Sequence, residues 1–412
     1  MSKHGGFFAG SRLQTTAPPR LLPQCGACGL CKQCGTPKMA VAGHGARKVL
    51  VVGEAPGAHE DTQGVPFVGK AGQHLRRVLR SLQFDLDKDA WTTNALICRP
   101  PKNRTPKSEE IDYCRPNLAR AIRELKPHVI ITLGQPAVNA AIGRIWSVDA
   151  VGPMSRWAGW CIPSQDLNAW VCPTWHPSYI LREDDPVLDR QFRAHLATAI
   201  ARNAPPWPSG LPQWVDDVHS VLDADTAAQW LYMAAKQSTG AIAWDYETNA
   251  LKPDGAEARI VSCAVAWGRT APERCIAFPW HGAAIGAMGK LLRSPIPKIA
   301  SNLKFEDRWT RKEFGHRVRG WAWDTMLAAH VADNRPQITS VKFQAFVRLG
   351  APVWNDKVEP YLKTKGNATI NRIVQEVDIN DLLTYNGLDA IMEFRVALHQ
   401  MQELSYPIPW RM

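Results

Sequence analysis

The stretch Gly53-Glu-Ala-Pro-Gly57, continued by Gly64-Val-Pro-Phe-Val-Gly69-Lys-Ala-Gly72, decides the fold of the first half of the chain. It follows the apolar run 49–52, which predicts a buried strand, and precedes apolar residues at 3–4 spacing in 75–82, which predict a helix. A glycine-rich loop between a strand and a helix is the usual ligand position of an α/β domain. Its glycines indicate a backbone that turns sharply or approaches a ligand closely. We therefore expect an α/β fold with a ligand site at this loop.

Length and charge limit the classes of protein that this chain can represent. The 412 residues predict two or three domains. The net charge of +11 is uneven, since residues 1–204 carry +10 and residues 205–412 carry +1, and a basic first half suits DNA. The sequence contains no run of eighteen apolar residues, so we expect no membrane-spanning segment. Residues 1–20 lack the apolar core of a signal peptide, so we expect a cytoplasmic, non-secreted protein.

Cysteines are concentrated near the N-terminus of the chain. Four of the ten follow a regular spacing over residues 25–34, at Cys25, Cys28, Cys31 and Cys34. In a protein without a signal peptide, such spacing indicates a metal or cluster site before disulfides. Two further cysteines, at 98 and 114, are sixteen positions apart. Thiolates favour iron–sulfur clusters or zinc, so an N-terminal pair and the two distant cysteines predict a four-thiolate site.

Three separated motifs in the first half occur in a family-specific order. The pattern G-E-A-P-G…E-D…G-x-P-F-V-G-K-A-G fills residues 53–72, Cys98-Arg-Pro-Pro follows it, and His176-Pro-Ser178 comes after a strand-like run. Together they make residues 25–200 resemble the type-4 iron–sulfur uracil-DNA glycosylases. That resemblance implies a three-layer α/β/α domain that excises uracil from DNA after flipping the base out of the duplex.

The resemblance also assigns roles to individual residues. It assigns substrate binding to Gly53, Phe67, Asn94, Pro177 and Ser178. Phe67 would stack on uracil, Asn94 would read its amide edge, and Pro177-Ser178 would begin a loop that enters the minor groove. His176 would donate a hydrogen bond to the uracil carbonyl, where negative charge develops as the base leaves. Glu54 would hold the attacking water, with Glu60 as the weaker candidate.

The same resemblance implies a [4Fe–4S] cluster in the first half. It would be held by Cys25, Cys28, Cys98 and Cys114. The two extra cysteines, Cys31 and Cys34, are a departure from the family pattern. They leave three other N-terminal pairs open: Cys28 with Cys31, Cys31 with Cys34, and Cys28 with Cys34.

The second half begins, after a proline-rich segment, with a strand-like run that contains Asp245 and Glu247. Two residues apart on a strand, these side chains point to the same face. Carboxylates packed together repel each other unless a cation neutralises them, so the pair is a candidate for a two-metal site.

Further pieces support that site. Glu306 lies in a strand-then-helix pattern at 299–309, Asp324 opens Asp-Thr-Met-Leu, and Tyr385 and Asp389 are four apart on one helical face. The set resembles the DEDDy-type 3′–5′ exonuclease domain of family-A DNA polymerases, which has a ribonuclease-H-like fold. The resemblance implies two Mg²⁺ or Mn²⁺ ions bound by Asp245, Glu247, Glu306 and Asp389, with Tyr385 orienting the water. Glu306 stands where the family has aspartate, Asp307 is the fallback ligand, and Asp324 is expected to be structural.

Together these patterns predict the following division of the chain: a disordered tail at 1–22, a glycosylase domain at 23–202, a linker at 203–220 and an exonuclease domain at 221–412. We expect a DNA repair or replication enzyme acting on uracil-containing DNA and on 3′ ends. The alternative is a catalytically weak DNA-binding accessory subunit. The residues after the exonuclease-like region are too few for a polymerising domain, so either a DNA polymerase partner is a separate chain or the sequence is truncated.

Overall fold

The computed structural model describes residues 25–237, 240–364 and 369–410. The predicted disordered tail at 1–22 lies outside the described residues. The chain divides into two compact units: the first contains residues up to Ile145 and Cys172–Asn203, and the second contains Trp146–Val171 and the residues from Ala204 onward. Within the described residues, no helix combines the length and the apolar character that crossing a membrane requires.

A five-stranded sheet in the order β2-β1-β3-β5-β4 includes the predicted strand at 49–52. Its strands are β1 (Val49–Gly53), β2 (Ala90–Asn94), β3 (Val129–Leu133), β4 (Ile162–Ser164) and β5 (Ala169–Thr174). The first three pair in parallel, whereas β4 pairs antiparallel with the beginning of β5. Every residue of β1 and β3 is buried, as expected for parallel strands covered on both faces.

Eight helices accompany these strands in the described chain. They are α1 (Ala58–Gln63), α2 (Lys70–Ser81), α3 (Leu86–Asp89), α4 (Ser108–Leu125), α5 (Gln135–Ala141), α6 (Met154–Trp157), α7 (Pro177–Glu183) and α8 (Pro186–Ile200). Short 3-10 turns lie at Leu30–Lys32, Pro101–Asn103 and Ile142–Arg144. The glycine-rich stretch spans the end of β1, all of α1 and the start of α2, so the predicted strand, loop and helix are all present.

The second unit is built on a six-stranded sheet in the order β11-β10-β7-β8-β9-β6. Its strands are β6 (Val218–Ser220), β7 (Ala241–Thr248), β8 (Ile260–Gly268), β9 (Arg274–Pro279), β10 (Lys298–Ala300) and β11 (Trp321–Asp324). Strands β7, β8 and β9 are antiparallel neighbours, and β10 pairs in parallel with β7. The end of the predicted linker contributes to this sheet, since a 3-10 turn at Trp214–Asp217 leads into β6, which pairs with β9.

Eight helices pack around this second sheet in the described chain. They are α9 (Ala224–Gln237), α10 (Ala283–Arg293), α11 (Leu303–Phe314), α12 (Thr325–Ala332), α13 (Val341–Leu349), α14 (Glu359–Leu362), α15 (Ile373–Glu376) and α16 (Ile379–Glu403). The long helix α16 packs across β7, β8 and β9. Both sheets carry helices, so the predicted α/β class is confirmed for both halves.

Residues 146–171 pack within the second unit, which sequence reasoning did not anticipate. The indole of Trp146 lies against Phe346 of α13, with ring centres 5.0 Å apart. Arg335 donates hydrogen bonds to the carbonyl oxygens of Ser155 and Ala158, at 2.8 and 2.7 Å. An aromatic cluster and the hydrogen bonds from the Arg335 side chain to backbone carbonyls therefore fix this segment in the second unit.

Candidate active sites

The carboxyl ends of neighbouring strands carry the predicted site residues of the first unit. Gly53 ends β1, Asn94 ends β2, and the two are register partners in the parallel ladder. The N–H of Gly134, just after β3, donates to the carbonyl of Thr174 at the end of β5, at 2.9 Å. The ends of four adjacent strands therefore meet at one edge of the sheet, where α/β proteins bind ligands. His176 follows Thr174 by two residues.

Gly53 brings two of the predicted uracil contacts together. A Cβ atom at this position would lie 2.4 Å from Oδ1 of Asn94 and 2.8 Å from Cζ of Phe67. Both side chains are buried. The glycine is therefore required because the aromatic ring and the amide approach the strand more closely than any side chain permits.

The backbone of Phe67 is held in an unusual conformation. Its φ is +59°, which costs about 1–3 kcal/mol for a bulky residue and is found mainly where a site requires it. Helix α2 holds it there, since a Cβ on Gly72 would lie 2.0 Å from the Phe67 carbonyl oxygen. Arg76 donates its Nε–H to the same oxygen at 3.4 Å. The positive φ aims the ring towards Gly53.

His176 is fixed as a neutral hydrogen-bond donor. It caps α7, and its Nδ1 accepts the backbone N–H of Ser178 at 3.2 Å and lies 2.7 Å from Ser178 Oγ. Because Nδ1 accepts, the ring proton must sit on Nε2. Burial lowers the pKa of His176 to about 4, and the neighbouring Glu60 only partly opposes this. Nε2–H therefore remains a donor at neutral pH, and Pro177 opens α7 immediately behind it.

The two glutamates of the loop lie in different environments. Glu54 is half-buried, and burial raises the pKa of its carboxyl. Glu60 accepts the N–H of Gly69 at 2.7 Å, and a Cβ on Gly57 would lie 2.6 Å from its second oxygen. The Glu60 carboxylate therefore braces the loop between two glycines, whereas Glu54 is the carboxylate without such a structural task.

A cavity in the first unit is lined by cysteines. Cys25, Cys28, Cys31, Cys98 and Cys114 line it, together with Leu30, Leu96, Ile97 and Tyr113. Two backbone amides donate to sulfur: Lys38 to Cys98 at 3.2 Å and Ile97 to Cys114 at 3.4 Å. Soft donors, apolar walls and N–H···S bonds are the surroundings that an iron–sulfur cluster requires.

The structure places the predicted thiols around that one cavity but does not choose between the N-terminal pairs. Cys25 and Cys28 lie beside Cys114, and Cys34 lies beside Cys98 without lining the cavity. Burial raises the pKa of Cys98 to about 12 in the metal-free protein. Loading a cluster would therefore release protons.

Sequence reasoning missed the residue that ties the cysteine segment to the glycine-rich loop. Asp61 is buried, and its carboxylate accepts the backbone N–H groups of Gly35 and Thr36 at 3.0 and 2.8 Å. Arg99 of the Cys-Arg-Pro-Pro motif lies 3.7 Å from the same carboxylate. The adjacent Glu60 and Asp61 in the loop motif were the available signal. Glu60 binds within the glycine-rich loop, and Asp61 binds the segment that follows the N-terminal cysteines.

In the second unit, three predicted acids lie together. Asp245 and Glu247 project from β7 and Asp389 from α16, and one carboxylate oxygen from each lies within 4.8 Å of the others. Burial and the neighbouring Asp389 raise the pKa of Asp245 to about 7, and burial and Asp245 raise that of Glu247 further. Asn386 donates to Asp245 Oδ2 at 2.7 Å and orients it. These oxygens suit a hard divalent cation.

A lysine that the sequence analysis did not select also reaches this acidic group. The Nζ of Lys342, on α13, lies 3.1 and 3.2 Å from the two oxygens of Asp389 and 2.9 Å from the hydroxyl of Tyr385. The indole of Trp354 donates to Asp389 at 3.1 Å. The ammonium is a counter-charge to this group of acids. A lone lysine on a predominantly apolar helix was the signal that pointed to it.

Glu306 is buried near the three acids but is not one of the group within 4.8 Å. One of its carboxylate oxygens has no hydrogen-bond partner. The fallback Asp307 is engaged elsewhere, since it accepts from Arg311 at 2.5 Å and from the N–H of Val318 at 3.0 Å. Asp324 joins the starts of two helices by accepting from the backbones of residues 302, 303, 326 and 327.

Comparisons with known proteins agree with both predicted resemblances. Residues 42–200 match the family model described as uracil DNA glycosylase superfamily, and residues 218–403 match the one described as 3′-5′ exonuclease. The type-4 uracil-DNA glycosylase of Pyrobaculum aerophilum is 40% identical over 184 residues, which is 43% of this chain and 88% of that protein. That of Saccharolobus solfataricus is 36% identical over 172 residues, 40% of this chain and 79% of that protein.

Two further comparisons are with a DNA polymerase and with a nuclease structure. The DNA polymerase of Bacillus phage SP01 is 21% identical over 331 residues, which is 71% of this chain and 33% of that polymerase. The structure of Escherichia coli RNase D, an exoribonuclease involved in structured RNA processing, aligns with 46% of this chain and 45% of the RNase D chain. The aligned residues are 16% identical, and the TM-score is 0.34.

Proposed function

Because this chain belongs to the uracil-DNA glycosylase superfamily and also carries a 3′-5′ exonuclease domain, we propose that it removes uracil from DNA and trims 3′ ends with separate sites. The observation that carries the first activity is the hydrogen bonding of His176, which leaves Nε2–H as a donor at the sheet edge that holds Phe67 and Asn94. Uracil leaves as an anion, and a fixed neutral donor stabilises the oxygen on which that charge develops.

The remaining residues of the first site bind the flipped base and the water. Phe67 stacks on the uracil ring, and Asn94 pairs with its amide edge at the place that Gly53 keeps open. Glu54, whose raised pKa reflects its burial, holds the attacking water beside the sugar carbon. Pro177 and Ser178 start the helix that enters the minor groove. Ser178 also fixes the tautomer of His176, so DNA contact and catalysis meet at one tripeptide.

The cysteine cavity supports a [4Fe–4S] cluster held by Cys25, Cys28, Cys98 and Cys114. The cluster, when bound, would link the N-terminal segment to the segment after β2 through four cysteine–iron bonds. Asp61 adds a connection of the N-terminal segment to the glycine-rich loop by accepting the backbone N–H groups of Gly35 and Thr36. The reducing interior of a cell, which the sequence predicts as the location, suits these free thiols.

We assign phosphodiester hydrolysis at 3′ ends to the second site. Two divalent ions, when bound there, supply Lewis-acid stabilisation of the attacking and leaving oxygens. Asp245, Glu247 and Asp389 form the observed ligand group, and Glu306 stays our candidate for the fourth acid. Tyr385 orients the attacking water through its hydroxyl proton, because the Lys342 ammonium already donates to that oxygen.

One DNA substrate tests both activities. It is a labelled duplex with a single uracil and a mismatched 3′ end, incubated with EDTA or with Mg²⁺ or Mn²⁺, and abasic sites and 3′ shortening are scored separately. We expect excision in EDTA and shortening only with metal. Excision without any shortening would refute the exonuclease assignment, and shortening without excision would refute the glycosylase assignment.

Absence of both activities, with tight DNA binding retained, would favour the alternative function. The chain would then be a DNA-binding accessory subunit for a separate DNA polymerase. Co-purification with a polymerase activity, lost when the second unit is altered, is the corresponding measurement.

A further inference from the structure

A fifth acid lies beside the candidate exonuclease site. Glu393 is on α16, one helical turn after Asp389 and two turns after Tyr385, so the three side chains follow one face of the helix. Its side chain is 2% exposed. The acids whose charges act on it are Asp245, Glu306 and Asp389, all members of the predicted ligand set. Glu393 therefore faces the site rather than the solvent.

Glu393 shares an unusual property with Glu306. In the described part of the chain, each has one buried carboxylate oxygen without a hydrogen-bond partner. Backbone amides of Ser301 and Tyr246 lie against the two carboxylates, and within the described residues neither carboxylate forms an ion pair with a lysine or an arginine. A buried carboxylate oxygen that accepts no hydrogen bond is energetically costly unless a ligand binds it.

Lys342 does not supply the missing charge. Its ammonium contacts Asp389 and Tyr385, and within the described residues it forms no ion pair with Glu306 or Glu393. In their ionised forms the five acids at 245, 247, 306, 389 and 393, all buried except the partly buried Asp245, carry five negative charges against the one positive charge of Lys342. Two divalent cations would balance the remaining four negative charges.

Within the described residues, Glu306 and Glu393 lie outside the compact group of three acids. Asp245, Glu247 and Asp389 offer oxygens within 4.8 Å of one another, which is enough for one ion. The charge of Asp245 also acts on the carboxyl groups of Glu306 and Glu393. We propose that Glu393 is an additional metal-ligating residue and that, with Glu306 and Asp245, it holds the second divalent cation. This inference rests on the proposed exonuclease function and adds a carboxylate that the resemblance does not assign.

Metal stoichiometry of the full-length, cluster-loaded chain tests the inference. Mn²⁺ binding is measured by isothermal titration calorimetry and by electron paramagnetic resonance, without DNA. We expect two ions per wild-type chain. Glu393→Gln keeps the shape of the side chain and should weaken the second ion about 10- to 100-fold while leaving the first unchanged. Asp381→Asn, at an exposed position of the same helix, is the matched control and should leave both ions unchanged.

The outcomes separate this inference from the proposed function. Two ions with unchanged affinity in Glu393→Gln would overturn the role of Glu393 alone. One ion in the wild type would overturn the second position, and no ion together with no 3′ shortening would overturn the exonuclease assignment itself.

A measurement on the unaltered protein covers the case in which Glu393→Gln does not fold. Anomalous diffraction from crystals grown with Mn²⁺ should place the second ion at about 2.0–2.2 Å from a Glu393 oxygen, as expected for a small divalent cation. A second ion that Glu393 does not touch would refute the proposal.

Discussion

Replacing Lys342 by methionine removes the counter-charge of the acidic group while keeping the length of the side chain. The ammonium lies 3.1 and 3.2 Å from the oxygens of Asp389, and the lysine side chain is 16% exposed. At 3.1 Å and an effective dielectric constant of about 20, the attraction is about 5 kcal/mol before the cost of desolvation. Breaking a buried pair from one side typically costs about 3–5 kcal/mol.

The size of the second unit determines how far this loss of stability lowers the midpoint temperature of thermal unfolding. For about 200 residues, 1 kcal/mol corresponds to about 2–4 °C, so we expect the midpoint of Lys342→Met in EDTA to fall by about 6–20 °C. Saturating Mn²⁺ should recover much of the loss, because the ion replaces the ammonium as counter-charge. The variant should also bind Mn²⁺ more tightly, since no lysine competes for Asp389.

Scanning calorimetry in EDTA and in Mn²⁺ measures both effects, because the transition that Mn²⁺ shifts belongs to the second unit. Lys357→Met is the matched control. Its ammonium forms an exposed pair with Asp381 at 2.6 Å, and such pairs contribute about 0–1 kcal/mol. An equal loss for Lys342→Met with and without Mn²⁺ would refute counter-charge competition, and no loss in EDTA would refute the buried pair.

Three further predictions concern the first unit. Gly53→Ala should lower the rate of uracil excision about 100-fold by displacing the base-binding side chains. The control is Gly286→Ala, which should leave that rate unchanged because its Cβ meets nothing within 4 Å. Equal rates for the two variants would contradict the close approach of Phe67 and Asn94 to Gly53. The depressed pKa of His176 means that its contribution to stability is complete above about pH 6.5 and declines towards pH 4, because the unfolded state binds a proton that the folded state does not. Thermal midpoints at pH 5 and 7.5 should therefore differ more for wild type than for His176→Asn, and equal differences would refute the burial effect. Cys98→Ser should abolish the absorbance near 400 nm of an iron–sulfur cluster and Cys34→Ser should retain it; loss in both would favour a ligand pair that includes Cys34.

The sequence predicted the elements whose signals are local. The all-apolar strand before Gly53 and the i, i+4 spacing of Tyr385 and Asp389 depend on neighbours in the chain, and both are present as expected. The α/β class of each half follows from the same periodicities. The acids on β7 could be placed on one face because strand geometry has a period of two.

The features that the sequence did not predict depend on distant contacts. Lys342 meets Asp389 across 47 positions, and Asp61 meets residues 35 and 36 across 25 or more. Glu393 has no motif at all, and only its burial beside other acids distinguishes it from a surface glutamate. Local patterns do not specify which side chain fills the space beside a charge, because that depends on how separate elements pack.

The packing of residues 146–171 within the second unit affects how this protein can be divided. The polypeptide passes from one unit to the other three times, near residues 145, 171 and 203, so a single cut after the glycosylase motifs does not separate them. A fragment ending at residue 203 would retain Trp146 and Trp157 but lose Phe343 and Phe346, the rings that cover them. Such a fragment would expose an apolar surface to solvent and would be prone to aggregation. We therefore expect that neither truncating the gene nor cleaving the proline-rich segment with a protease would give an isolated glycosylase unit that is monomeric and stably folded.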